Sequence, residues 1–260
     1  MPNILSRLLP FLLATTIVSQ AQAGESLRVA YEDKALPPYY IGDSVQVDPV
    51  SPGISVELVR MAGEALGIEV QLVRMPWTRC LNLLQKGEVD AIFNASFKED
   101  RLDNGVYPTK AGKPDPARRI ATVAYSLYAP SGSAVTWDGK ALNGISGSVG
   151  TPAGYSIGDD LARIGVKVEE APDTVANFRK LSSGRIAAVA TLDTSGDALL
   201  ASGQYPRLIK IEPALSTKDY FLMISHQYYA AKRPLAERLW QTIADLREKK
   251  GADLRVKYAR

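Results

Sequence analysis

Between Gly53 and Arg101 the chain alternates helix, strand, helix and strand, and this alternation restricts the fold more than any other feature of the sequence. Ile54, Leu58, Met61, Ala62, Ala65 and Leu66 recur at spacings of three and four, which predicts a helix. Gly67 follows as a helix-terminating glycine. Glu69 to Arg74 is short and partly β-branched, so it reads as a strand. Trp77, Cys80, Leu81 and Leu84 restore the helical spacing, Gly87 stops it, and Ala91 to Asn94 is a second strand. Strands joined by helical crossovers pair in parallel, and such sheets place their sites beyond the strand C-termini. Asn94-Ala95-Ser96 lies at one of those termini and Arg101 follows closely, so this is where chemistry is expected.

The flanking chain extends the pattern. Leu27 to Tyr31 is a first strand, followed by a turn-rich loop through Leu36-Pro37-Pro38-Tyr39-Tyr40. Its two tyrosines either wall a pocket or pack on the sheet edge. Ile120 to Ala129 predicts a long strand. A second βα series follows. It has strands at Ile145 to Val149, Val166 to Glu170 and Ile186 to Leu192, with a glycine-rich turn from Gly150 to Gly154. Its helices fall at Ser156 to Ile164, Thr174 to Ser183 and Thr194 to Ser202. Leu208 to Ile211 and Lys218 to Ser225 read as two further strands, and Pro234 to Lys250 as an amphipathic helix closed by Gly251. The expected architecture is α/β with two lobes joined by two crossing strands over a cleft. The first lobe comprises residues 24–124 plus 215–260, and the second, residues 125–214, is inserted into it.

The first 23 residues read as a cleavable signal peptide. Arg7 supplies a positive start, Leu8 to Val18 is an apolar run too short to span a bilayer, and Ala21-Gln22-Ala23 is a small-x-small cleavage signal. Removing it takes one cation and no acid from a formal charge of +3, leaving +2. So small an excess argues against nucleic acid and against a polybasic membrane surface. Cys80 is the only cysteine, so no intrachain disulfide forms, and its place on a predicted apolar helix face reads as packing. No cofactor, metal or catalytic motif is present, and nothing in the sequence indicates an oligomer; a monomer is expected.

Several of these residues resemble a family pattern. Gly53, Ile54, Glu57, Leu58, Leu66-Gly67, Trp77, Leu81, Leu84, Gly87, Asp90 and Arg101 match the first lobe of periplasmic solute-binding proteins of the polar-amino-acid type, which serve ABC importers. Gly154-Tyr155-Ser156 and Gly184-Arg185-Ile186 continue the resemblance into the second lobe. It implies a type II periplasmic-binding-protein fold. Arg101 would hold a ligand carboxylate, with Asn94 and Ser96 adding hydrogen bonds, and Gly154, Tyr155 and Ser156 would meet it from the other side. A guanidinium suits that task because it offers two parallel donors; the bland alternative pairs Arg101 with Glu99, Asp100 or Asp103 on the surface. Ser156 to Asp159 also reads as a capping box that satisfies its own helix. Trp77 is expected either to cover the ligand or to pack in the core, and Arg79 to lie near the cleft mouth. Tyr39 is a further candidate. Where relatives place an acid for a ligand ammonium this chain has Leu192, with Asp193 displaced by one residue, so the partner of an ammonium is open.

The resemblance implies a periplasmic, non-enzymatic protein that closes on a small carboxylate-bearing solute and passes it to an inner-membrane ABC permease. Two alternatives stand beside it. One is an enzyme on the same scaffold, resembling cyclohexadienyl dehydratase, for which Asp193 and Glu32 are the available acids. The other is a ligand-sensing subunit docking on a membrane receptor.

Overall fold

The computed structural model describes residues 24–259, so the signal-peptide reading lies outside the described residues. In chain order the elements begin with β1 (Glu25–Glu32), α1 (Ile54–Leu66), β2 (Ile68–Met75), α2 (Trp77–Lys86), β3 (Ala91–Ser96) and a small hairpin of β4 (Thr109–Lys110) and β5 (Lys113–Pro114). Next come β6 (Ala121–Pro130), a second small hairpin of β7 (Thr136–Trp137) and β8 (Leu142–Asn143), and β9 (Val149–Pro152). The remainder is α3 (Ser156–Arg163), β10 (Val168–Ala171), α4 (Thr174–Ser182), β11 (Ala188–Leu192), α5 (Asp193–Ala201), β12 (Leu208–Ile224) and α6 (His226–Tyr258).

Eight strands form one sheet in the order β10-β9-β11-β6-β12-β3-β1-β2. β1 pairs in parallel with β2 and β3 at one end, and β9 pairs in parallel with β10 and β11 at the other. The two middle strands, β6 and β12, run antiparallel to each other, and each also pairs antiparallel with the strand on its outer side. Two βα lobes are thus joined by the two long strands, as the sequence pattern predicts.

Local chemistry explains the elements. Helix α1 buries Val56, Leu58, Val59 and Ala62 completely, and α6 meets it with Leu239, Trp240 and Ile243. The Trp240 indole also donates to the Leu222 carbonyl at 2.8 Å, fixing α6 to β12. Gly67 and Gly87 close α1 and α2 in left-handed geometry, as read from the sequence. Arg74 organises the loop after β1. Its guanidinium donates to the carbonyls of Glu32, Ile41, Gly42 and Gln46 and lies 5.0 Å from the Tyr31 ring centroid.

Three elements differ from expectation. The strand expected at Ile145 to Val149 is displaced to β9, because Gly144 and Gly147 adopt positive φ while residues 149–152 pair with β10. The predicted glycine-rich turn contracts accordingly to Ala153-Gly154. The two strands expected at 208–211 and 218–225 are one 17-residue strand, since both stretches pair with β6 on either side of a register shift between Ile211 and Ser216. Helix α6 extends well beyond Pro234 to Lys250. Lys232 leaves helical geometry, and Pro234 stands in the first turn of the segment that follows, where its missing N–H costs little.

Gly53, just before α1, tests this packing most directly. Its φ of 110° is open to glycine, and a Cβ there would lie 2.5 Å from the Tyr39 carbonyl oxygen. Gly53→Ala is expected to lower unfolding free energy by about 3 kcal/mol in urea titrations. Gly67→Ala, at φ 67° with open space around it, serves as the control and should cost about 1 kcal/mol.

Candidate functional site

The ends of β1 and β3 face the second lobe, and a small cavity lies between the lobes. The first lobe lines it with Glu32, Tyr40, Trp77, Asn94, Ser96 and Arg101, and the second with Tyr155 and Leu192. Tyr125 of β6 and Tyr220 of β12 form part of the lining from the crossing strands, their hydroxyls 2.7 Å apart.

Arg101 sits on a 3-10 turn, Glu99–Asp103, and is 4% exposed. Its Nη1 donates to the Ser96 carbonyl at 2.8 Å and to Ser96 Oγ at 2.9 Å, while Nη2 donates to the Gly154 carbonyl at 2.6 Å. The guanidinium lies 5.5 Å from the Trp77 ring centroid. All these partners are neutral. Glu99, Asp100 and Asp103 do not engage it; Asp100 pairs with Lys98 at 3.1 Å instead. Among the described residues, Arg101 is therefore a buried cation with no carboxylate beside it, which is costly unless an anion arrives.

Asn94 carries a second unmet demand. It lies within β3 with φ 57°, a left-handed conformation that asparagine tolerates better than most residues. It is buried, and neither its amide nitrogen nor its amide oxygen has a partner. Such a group ordinarily costs about 1–3 kcal/mol, so an orphaned amide in a cavity wall marks a place for a polar guest.

Glu32 is the acid of the cavity. Its Oε2 accepts from Tyr155 at 2.7 Å and from Tyr40 at 3.0 Å. Burial pushes its carboxyl up to about 7; the two tyrosine hydrogen bonds and the Arg74 charge oppose that rise without cancelling it. The sequence marked Glu32 only as an acid available to an enzyme. Of the two tyrosines expected to wall a pocket or pack on the sheet edge, Tyr40 lines this cavity; Tyr125 and Tyr220 were missed, because alternation within a buried strand does not separate a cavity face from a packed one.

The second-lobe turn is shaped for close approach. Gly154 has φ 72°, and a Cβ there would stand 3.2 Å from Thr78 Cγ2 and 3.5 Å from Trp77 Cδ1. Ser156 does not form the capping box. It is the first residue of α3, whose cap, Tyr155, makes no side-chain cap bond. Its hydroxyl instead lies 2.9 Å from Ser96 Oγ across the cleft, and Asp159 pairs with Lys98 of the first lobe. Lys34 and Asp173 make another bridge at 3.7 Å.

The remaining candidates fall elsewhere. Tyr39 donates to the Thr122 carbonyl at 2.8 Å and lines a separate groove with Ile54 and Arg255. Asp193 opens α5, its carboxylate accepting from the Thr194 backbone at 2.7 Å, while its neighbour Leu192 faces the cavity. Arg79 is exposed on α2. Cys80 is fully buried, and burial pushes its thiol up, in keeping with packing.

Comparison with known proteins agrees with this fold. Residues 27–107 match the model of the bacterial extracellular solute-binding proteins, family 3. A histidine kinase sensor domain with similarity to periplasmic binding proteins superposes with a TM-score of 0.69 at 19% identity, covering 89% of this chain and 95% of that one. The ligand-binding core of GluR0 from Nostoc punctiforme, in complex with L-glutamate, gives 0.67 at 17% identity, over 89% and 98%. An ancestral arginine-binding protein bound to arginine gives 0.67 at 19%, over 90% and 97%. The fold is that of the periplasmic binding proteins. No curated protein matches the chain.

The acid offers a clean test. Folded Glu32 keeps its proton up to about pH 7, whereas the unfolded carboxyl releases it near 4.5. Between those values the native state binds more protons, so stability is full below the lower value and falls as pH rises. The loss should total about 3 kcal/mol. Chemical denaturation across pH 4 to 8 should show this decline, and Glu32→Gln should flatten it.

Proposed function

We propose that this chain is a binding protein that closes its two lobes on a small amino acid or closely related zwitterion. Residues 24–124 with 215–260 would form one lobe and residues 125–214 the other. The observation that carries the reading is the pairing of opposite needs within one cavity, Arg101 buried without an anion and Glu32 buried without a cation. A ligand carboxylate would take the guanidinium in place of the Gly154 carbonyl, aided by Ser96 and the unpartnered Asn94. A ligand ammonium would take Glu32 in place of the Tyr155 hydroxyl. Glu32 then replaces the acid that the second lobe lacks, since the side chain facing the cavity there is Leu192. Trp77, Tyr40 and Tyr155 would enclose the ligand's apolar part. The match to extracellular solute-binding proteins and the amino-acid-bound neighbours support this ligand class.

The matched family favours binding and release over catalysis. Delivery to an inner-membrane ABC permease, from a periplasmic location reached through the leader, is the first reading of its role. A sensor subunit is the second, favoured by the likeness to a histidine kinase sensor domain. Ligand-dependent uptake by membrane vesicles carrying the cognate permease would favour the importer. Ligand-dependent capture of a receptor ectodomain would favour the sensor.

A thermal-shift screen of the twenty amino acids, followed by calorimetry, tests the binding reading. The ligand should raise the melting temperature and be recovered unchanged. Arg101→Met should weaken it by at least about 30-fold, because it leaves the ligand carboxylate unpaired in a buried site. Unaltered affinity in that variant would refute the carboxylate anchor. Affinity should also climb with pH toward 7, since an ammonium requires the ionised form of Glu32.

A further inference from the structure

Lys218 stands on β12 where the lobes meet, outside every motif of the sequence. Its Nζ donates to Ser156 Oγ at 2.9 Å, it pairs with Asp160, and it lies 5.5 Å from the Tyr125 ring centroid. Burial pushes its ammonium below the usual lysine range, with Asp160 opposing and the Arg101 charge adding to the shift.

Hydrogen-bond accounting assigns it a role. A serine hydroxyl has one proton and two lone pairs, while arginine and lysine only donate. Ser96 Oγ accepts from Arg101 and donates to Ser156 Oγ at 2.9 Å. Ser156 then accepts from both Ser96 and Lys218, so its two lone pairs are used and its proton is left to give. That proton faces the Tyr125 hydroxyl, which lines the cavity, so a solute anion would take it in place of Tyr125. Donation from both cations converges on Ser156, from Arg101 through Ser96 and from Lys218 directly.

We propose that Lys218 is a positioning residue that fixes Ser156 as a donor toward the anionic end of the solute, so that the junction separates a carboxylate from an isosteric carboxamide. The inference rests on the preceding reading, in which Arg101 holds that anion. A carboxylate accepts at both oxygens, whereas a carboxamide brings an NH2 that needs acceptors. A Ser156 free to rotate would serve either group; one saturated by Lys218 serves the acid alone.

Glycine and glycinamide are the minimal isosteric probes, titrated calorimetrically into the chain and three variants. Wild type should prefer glycine. Lys218→Met should weaken glycine about tenfold and glycinamide less than about twofold, and Lys218→Arg should restore the preference to within about threefold. Asp160→Asn keeps Lys218 while removing its competing anion, so it should raise the glycine preference, and it remains informative if Lys218→Met does not fold. An unchanged glycine-to-glycinamide ratio in Lys218→Met, or in Asp160→Asn where the former is unfolded, would overturn the proposal, as would equal binding of both probes by wild type. Arg101→Met separates the two readings. If it binds glycine as wild type does, the carboxylate anchor fails; if it loses glycine while Lys218→Met keeps it, the role of Lys218 alone fails.

Discussion

The antiparallel pairing of β6 with β12 is the interaction on which the rest of the molecule depends. Each strand hydrogen-bonds to the other and to one neighbouring strand, so both parallel βα lobes hang from this single ladder. It also fixes the cavity: Tyr125 and Tyr220 come from these two strands, and their touching hydroxyls form part of its lining. Were either strand to slip by one residue against the other, its tyrosine would turn to the opposite face of the sheet, since side chains alternate along a strand.

Around that ladder the polar groups obey one economy. The first lobe leaves two charges and an amide buried at its edge, and the two charges borrow neutral partners from the second lobe. Arg101 of the first lobe takes a carbonyl from the Gly154 turn, and Glu32 takes a hydroxyl from Tyr155 of the same turn. Neutral partners hold the geometry but do not neutralise the charges. That residual imbalance, which a purely structural interface would have removed by pairing ions, is what supports the proposed reading of the cavity.

Much of this was legible in the sequence, for physical reasons. Gly67 and Gly87 announced the ends of α1 and α2 because left-handed closure favours glycine, and the three-and-four spacing located both helices. Arg101, Asn94 and Ser96 were expected at the exposed C-terminal end of a parallel strand, and they line the cavity between the lobes. What escaped depended on long-range geometry. The continuity of β12 through residues 212–215 could not be read locally, since those residues sit at a register shift and the partner that spans it lies more than eighty residues away. Ser156 looked like a cap because capping is a local pattern, yet its hydroxyl is spent across the cleft. Tyr39 and Tyr40 are adjacent in sequence and face different cavities, a division set by the loop that Arg74 holds.

The bridges at the rim of the cleft share a polarity. Lys34 and Lys98 belong to the first lobe, and Asp173 and Asp159 to the second; Lys218 and Asp160 repeat the sense from β12. Bridging charges of opposite sign on two facing lobes attract before they touch, over roughly a Debye length of about 8 Å at physiological ionic strength. In the closure proposed above, dissolved salt would shorten the range at which one jaw feels the other without touching the cores. A cell that changed the ionic strength around this protein would then change how soon its lobes meet.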